Sequence, residues 1–270
     1  AGDHMQIYVK TIDGKTITRL TSDSADDVMP AISADGKWIA FASDRSGNWD
    51  IWMMPFNGGP ATQMTFDSDH ELHPSFSADG SELTYCRRNS RSGSWEIWSY
   101  RLDSPGTRTY VCDGLFPQWC PDGSRSTLLF QRARQRGSQF FSIWTVEFTQ
   151  GECSNPTEIV AASDTAIMHP SWSPNGDLIC YCTVNNPGAV TNWPTQADVW
   201  MVGVDGSGQA PLTRGFHRNM QPTWSKDGRI FFVSDRGGQD VIWAIPAASS
   251  TPTAPESRFA TVDTTSGSDD

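Results

Sequence analysis

Short apolar strands and tight polar turns alternate along the whole chain, and the alternation recurs as a unit. Each unit opens with a proline at the head of a short mixed strand, at Pro30, Pro74, Pro117, Pro170 and Pro222. A Ser-x-Asp-Gly-like turn follows: Ser33-Ala34-Asp35-Gly36, Ser77-Ala78-Asp79-Gly80, Cys120-Pro121-Asp122-Gly123, Ser173-Pro174-Asn175-Gly176 and Ser225-Lys226-Asp227-Gly228. The next strand is apolar at nearly every position, as in Trp38-Ile39-Ala40-Phe41-Ala42 and Leu178-Ile179-Cys180-Tyr181-Cys182. A strand that is apolar on both faces must be covered on both faces. A third strand carries an Ile-Trp-like pair: Ile51-Trp52, Ile97-Trp98, Ile143-Trp144, Val199-Trp200 and Ile242-Trp243. A fourth, more polar strand leads into Leu-Thr-like pairs such as Met64-Thr65 and Leu212-Thr213. Repeats of roughly 43–53 residues built from four short strands predict an all-β chain, a β-propeller of four-stranded blades.

The strand count adds a complication. Residues 6–21 supply two more strands, matching the third and fourth strands of a unit and ending in Leu20-Thr21. The expectation is six blade positions with one incomplete, five full repeats plus an N-terminal two-strand segment; the alternatives are a chain cut from a longer propeller, or five blades plus an N-terminal hairpin. Residues 1–5 read as a leader or tag remnant, 6–261 as one propeller, and 262–270 as an acidic polar tail that cannot form a packed strand pair. Asp-Gly and Asn-Gly at the first turn of each unit suggest two-residue hairpin turns. The Ile-Trp pairs are expected to be interior.

Composition narrows the function. The net charge is −11, from 31 acids against 20 bases, which excludes a nucleic-acid binder held by phosphate neutralisation. Only Lys10, Lys15, Lys37 and Lys226 are lysine, so the positive groups are mostly planar guanidinium forks suited to bidentate recognition. No apolar run reaches the length of a membrane-spanning helix. The six cysteines show no CxxC or Cys/His metal spacing and read as buried thiols, with a Cys112–Cys120 disulfide as the alternative.

Propeller loops segregate to two faces, and here nearly all length variation falls on one of them. That face holds the loops entering each proline and those between second and third strands, so binding groups are expected there. Residues just before each proline, Met29, His73, Phe116, His169 and Gln221, should ring the mouth of the central channel. His73, His169 and Gln221 could bind a ligand or hold a divalent metal, although Met29 and Phe116 interrupt the ring. Arg87, Arg88 and Arg91, with Arg132, Arg134 and Arg136 in the next unit, form a candidate basic patch for carboxylates or an acidic partner. Trp193, in the longest second-to-third-strand loop, is a candidate binding arm. Each has a structural alternative: a channel histidine satisfied by backbone, a hairpin neutralised by acids, and a tryptophan pinning its own loop.

Pro170-Ser171-Trp172-Ser173-Pro174-Asn175-Gly176, Ile39-Ala40-Phe41-Ala42-Ser43-Asp44, Asp50-Ile51-Trp52 and Leu212-Thr213 together resemble the TolB-type propeller repeat, a relative of the WD-type repeats. The resemblance covers residues 6 to about 261. It implies a six-bladed, non-enzymatic, extracytoplasmic (periplasmic or secreted) platform for a protein or peptide partner, with no cofactor. The family's best-known member carries an additional N-terminal domain without counterpart here, so a role in the same envelope system does not follow. The segments His73-Pro-Ser-Phe-Ser and His169-Pro-Ser-Trp-Ser also look like repeats of oligogalacturonate lyases, propellers that bind metal near the axis. The alternative function is therefore a carbohydrate-binding or lyase-like propeller. Absence of a Gly-x-Ser-x-Gly elbow argues against a serine hydrolase.

Overall fold

In the computed structural model, placement is described for residues 4–12, 14–133, 141–185 and 194–247, and for the backbone of 257–258. The strands form one two-stranded and five four-stranded antiparallel sheets, and the described residues contain no helix. The first pair is β1 (Tyr8–Lys10) with β2 (Ile17–Arg19). Blade one is β3 (Asp27–Ile32), β4 (Trp38–Ser43), β5 (Asp50–Pro55) and β6 (Thr62–Gln63). Blade two is β7 (Glu71–Phe76), β8 (Glu82–Arg88), β9 (Trp95–Arg101) and β10 (Arg108–Asp113). Blade three is β11 (Leu115–Trp119), β12 (Thr127–Ala133), β13 (Phe141–Thr149) and β14 (Glu152–Val160). Blade four is β15 (Thr165–Trp172), β16 (Leu178–Asn185), β17 (Asp198–Gly203) and β18 (Ala210–Pro211). Blade five is β19 (Asn219–Trp224), β20 (Arg229–Ser234), β21 (Val241–Pro246) and β22 (Ser257–Arg258). The molecule is a β-propeller of five full blades with an additional N-terminal strand pair.

The first strands lie innermost and pack in series, β3 beside β7, β7 beside β11, β11 beside β15 and β15 beside β19. Between blades the core repeats one contact. Ile51 packs on Phe76, Leu83 and Tyr85 of the next blade, and Ile97 on Leu128 and Phe130. Ile143 meets Ile167, Trp172, Ile179 and Tyr181, and Val199 meets Ile230 and Phe232. Of each Ile-Trp pair, the aliphatic member is thus the buried one in blades one to four, while the tryptophans are half-buried. This corrects the expectation for the indoles: alternation along a strand sends neighbouring side chains to opposite faces, so both cannot enter one seam.

The Leu-Thr-like pairs have a definite task. The Thr65 hydroxyl accepts a hydrogen bond from the Ile51 amide at 2.8 Å, and Thr213 does the same for Val199 at 2.8 Å. Thr21 accepts from Ile7 at 3.0 Å, and Ile7 packs on Ile39, Phe41 and Met54 of blade one. The N-terminal pair therefore occupies the third and fourth strand positions of a blade preceding blade one.

The turns also differ from expectation. Ser33 and Trp38 close a longer loop, with Ser33 N donating to Trp38 O at 3.0 Å. Inside it the Ser33 hydroxyl donates to Asp35 at 2.7 Å and accepts from the Trp38 amide at 3.0 Å. Only Gly36 has positive φ, 71°, so this is a type I turn ending in a left-handed glycine rather than a two-residue hairpin turn. The same lock recurs at Ser77–Asp79 and Ser225–Asp227, and at Ser173–Asn175 with an amide oxygen in place of the carboxylate. All six cysteines are free; Cys120 packs between blades three and four and Cys112 between two and three, so a Cys112–Cys120 bond is not formed.

Candidate functional site

Met29, His73, Phe116, His169 and Gln221 share one backbone conformation, with φ between 53° and 55°. Each precedes the proline of an innermost strand, and at each the pairing register shifts, between Val28 and Ala31 and at the four equivalent places. Proline excludes the ordinary helical region from the residue before it, and the pair bulges out of the ladder. A left-handed non-glycine residue costs on the order of 1–3 kcal/mol, so five in a row mark a conformation the surrounding sheet enforces.

The bulge brings three of these side chains together from three blades. The rings of His73 and Phe116 lie 4.0 Å apart at 52°, and those of Phe116 and His169 lie 5.1 Å apart, edge to face at 79°. Met29 and Gln221, at the two ends of the series, are exposed. Burial lowers the pKa of both imidazoles to about 4, and His73 is pushed further by His169. Both are neutral at physiological pH. The His169 amide donates to Gln131 Oε1 at 3.2 Å, and Nδ1 of His169 lies 3.4 Å from Cys182 Sγ. Burial holds Cys182 as a thiol, its pKa pushed up to about 12.

The two candidate metal ligands His73 and His169 both have the Phe116 ring as neighbour. Phe116 stacks against both histidines, and among the described residues no group of three or more His, Cys, Asp or Glu side chains is spaced to hold a metal. What the row offers is a neutral, aromatic surface with imidazole edges as hydrogen-bonding groups.

The arginines are largely committed to their own blades. Arg87 donates to Glu96 at 3.1 Å, lies 3.8 Å from both Asp67 and Asp69, and stacks 4.3 Å from the Trp98 ring. Arg88 lies over Trp95 at 5.5 Å and Arg132 over Trp144 at 5.6 Å. Arg91 is exposed, its amide donating to Asn89 Oδ1 at 3.0 Å. Arg134, Arg136 and Trp193 lie outside the described residues.

Two arginines not singled out in the sequence complete the same device. Arg45 lies 4.9 Å from the Trp52 ring and donates to Ser43 and Asp27, while Arg236 lies 5.1 Å from Trp243 and donates to Ser234 and Asn219. The signal was present in the repeated triplets Ser43-Asp44-Arg45 and Ser234-Asp235-Arg236. Also missed was Glu71, fully buried at the start of β7. Burial raises its pKa to about 9, assisted by the neighbouring Asp67 and Asp50. Asp27 and Asn219 hold the equivalent opening position in blades one and five, opposite Ser43 and Ser234.

A family profile described as the TolB beta propeller domain matches residues 1–149. The Tol-Pal system protein TolB of Francisella tularensis is 29% identical over 232 residues, 83% of this chain and 50% of that protein. The chain thus spans about half the length of that curated relative. The solved structure of TolB from Acinetobacter baumannii superposes with a TM-score of 0.71 at 17% identity, covering 90% of this chain and 57% of that one. An Agrobacterium tumefaciens protein assigned as TolB gives 0.69 at 23% identity, covering 84% and 81%. At these identities the solved structures bear on the fold alone. The repeat, the blade architecture and the profile match over more than half of its length place this chain in the TolB β-propeller domain family.

Proposed function

We propose that this chain is a non-enzymatic binding platform for a protein or peptide, which docks on the loop-rich face around the central channel. The observation that carries the reading is the His73–Phe116–His169 row, continued by exposed Met29 and Gln221. Buried aromatic contact with a few hydrogen-bonding edges is what interface anchors use. Neutral imidazoles avoid the desolvation cost of docking a peptide against fixed charge. The Francisella relative is named as a protein of the Tol-Pal system, which supports a protein partner and an extracytoplasmic location for this chain.

Selection of displayed peptides against the folded protein tests the reading. Selected peptides should lose about tenfold or more in affinity against Phe116→Ser or His169→Ala, as for a central anchor. Equal affinity for wild type and both variants, with unchanged melting, would overturn it.

A further inference from the structure

Asn-Gly occurs at Asn57-Gly58 and at Asn175-Gly176, and the fold gives both pairs the same backbone. Gly58 N donates to Pro55 O at 3.0 Å and Gly176 N to Ser173 O at 2.9 Å, closing two equivalent turns. Both glycines are left-handed, with φ of 86° and 71°. The side chains are held differently. The Asn175 amide is clamped at both ends: Oδ1 accepts from the Ser173 hydroxyl at 2.8 Å, and Nδ2 donates to Asp177 at 3.0 Å. Asn57 is exposed, and its amide has no hydrogen-bond partner among the described residues. The space beside the two glycines differs as well. A methyl group on Gly176 would meet Cys120 Sγ at 2.5 Å and Asp122 Cβ at 3.5 Å, whereas one on Gly58 would meet nothing within 4 Å.

We propose that Asn57 is a self-modification site, where the side-chain amide becomes a carboxylate through a ring closed on Gly58, and that the fold protects Asn175 from the same reaction. Gly58 N gives its proton to hydroxide and attacks Cγ of Asn57. The Cγ–Nδ2 bond breaks, and Nδ2 leaves as ammonia after taking a proton from water. The product is a five-membered succinimide. Water then opens the ring by one of two routes. Breaking the new N–Cγ bond leaves aspartate in an ordinary chain. Breaking the original bond to Gly58 N leaves isoaspartate, with the chain running through Cβ and Cγ. Nothing is oxidised or reduced. Glycine favours the attack because no Cβ crowds its nitrogen. At position 175 the amide must first leave two hydrogen bonds, and the rerouted backbone of isoaspartate would have to fit against Cys120 in a closely packed seam. Aspartate suits the turn at 57, since Asp35 and Asp79 already stand before the left-handed glycine of the same turn. Isoaspartate instead lengthens the connection between β5 and β6, which pair through Trp52–Gln63 and Met53–Thr62.

The test is peptide mapping by mass spectrometry on the intact folded chain in mildly alkaline buffer, beside the same chain in denaturant. In the folded chain the amide-to-acid mass change is expected about tenfold or more faster at 57 than at 175. In denaturant the two rates should converge, because both asparagines precede glycine. Gly58→Ala should slow conversion at 57 in denaturant, where the strain of a folded turn plays no part. Equal rates at the two sites in the folded chain, or a faster rate at 175, would overturn the proposal. So would a folded chain that keeps Asn57 intact while the denatured chain converts both, or conversion at 57 that Gly58→Ala does not slow.

Discussion

Glu71 shows how far one buried carboxyl can set the pH response of the molecule. Its folded pKa of about 9 stands above the ordinary 4.5, chiefly because burial penalises the charge. Between those values the folded chain keeps a proton that the unfolded chain has released, so this group lowers stability as pH rises through that window. Glu71→Gln is expected to flatten the alkaline fall in melting temperature, seen by comparing Tm at pH 5 and pH 8.5. His73 and His169 act in the opposite sense. Their folded pKa values near 4 lie below the ordinary 6.5, so stability falls as pH drops from 6.5 toward 4. His73→Phe with His169→Phe should retain more of its neutral-pH Tm at pH 4.5 than wild type does; a parallel loss in both would refute the assignment. Glycines separate by their surroundings. Gly80 and Gly176 have φ of 73° and 71°, but a methyl group on Gly176 would also meet Cys120 Sγ at 2.5 Å. Gly80→Ala should cost about 1–2 kcal/mol from the left-handed backbone alone, and Gly176→Ala measurably more in denaturant unfolding.

At the level of strands and blades, most of the design was legible because it repeats. Proline, turn, apolar strand and Ile-Trp pair fall in fixed order, and each found its strand in the structure. What the pattern could not assign was which member of Ile-Trp faces the next blade. That depends on the tilt between blades, a three-dimensional quantity, and it makes the aliphatic residue the seam. Ile97→Ala should therefore cost about 2–5 kcal/mol in unfolding free energy, while Ile242→Ala should cost well under 1 kcal/mol, because one side chain is fully buried and the other half exposed. Equal costs would mean the blade seams are wrongly drawn. The arginine pattern left the surroundings of its side chains open for a related reason. Arg87 and Arg132 look like a free basic surface in sequence, yet tryptophans of their own blades lie beneath them, as Trp52 and Trp243 lie beneath Arg45 and Arg236. Period-two spacing shows which residues share a face but not what already occupies it.

Across the described residues of the whole molecule, five four-stranded blades and an N-terminal strand pair repeat one device: the five left-handed residues before proline, Met29, His73, Phe116, His169 and Gln221, share one backbone conformation, and the rings of three of them meet. The shared position before proline was readable from the sequence register, whereas the packing of Phe116 against His73 and His169 was not, since nothing in sequence reports the spacing of neighbouring blades. Whether His73, His169 and Gln221 hold a metal is read by melting: with Phe116 packed against both imidazoles, manganese or calcium at millimolar concentration is expected to leave Tm unchanged, and a clear rise would support the metal. The most direct measurement of the platform reading is an NMR titration of a selected peptide, following the imidazole signals of His73 and His169 and the amides of the turns. The expected result is saturable shifts at His73, Phe116 and His169. Shifts confined to the opposite face, at Asp35-Gly36, Asp79-Gly80 and Asn57-Gly58-Gly59, would contradict it.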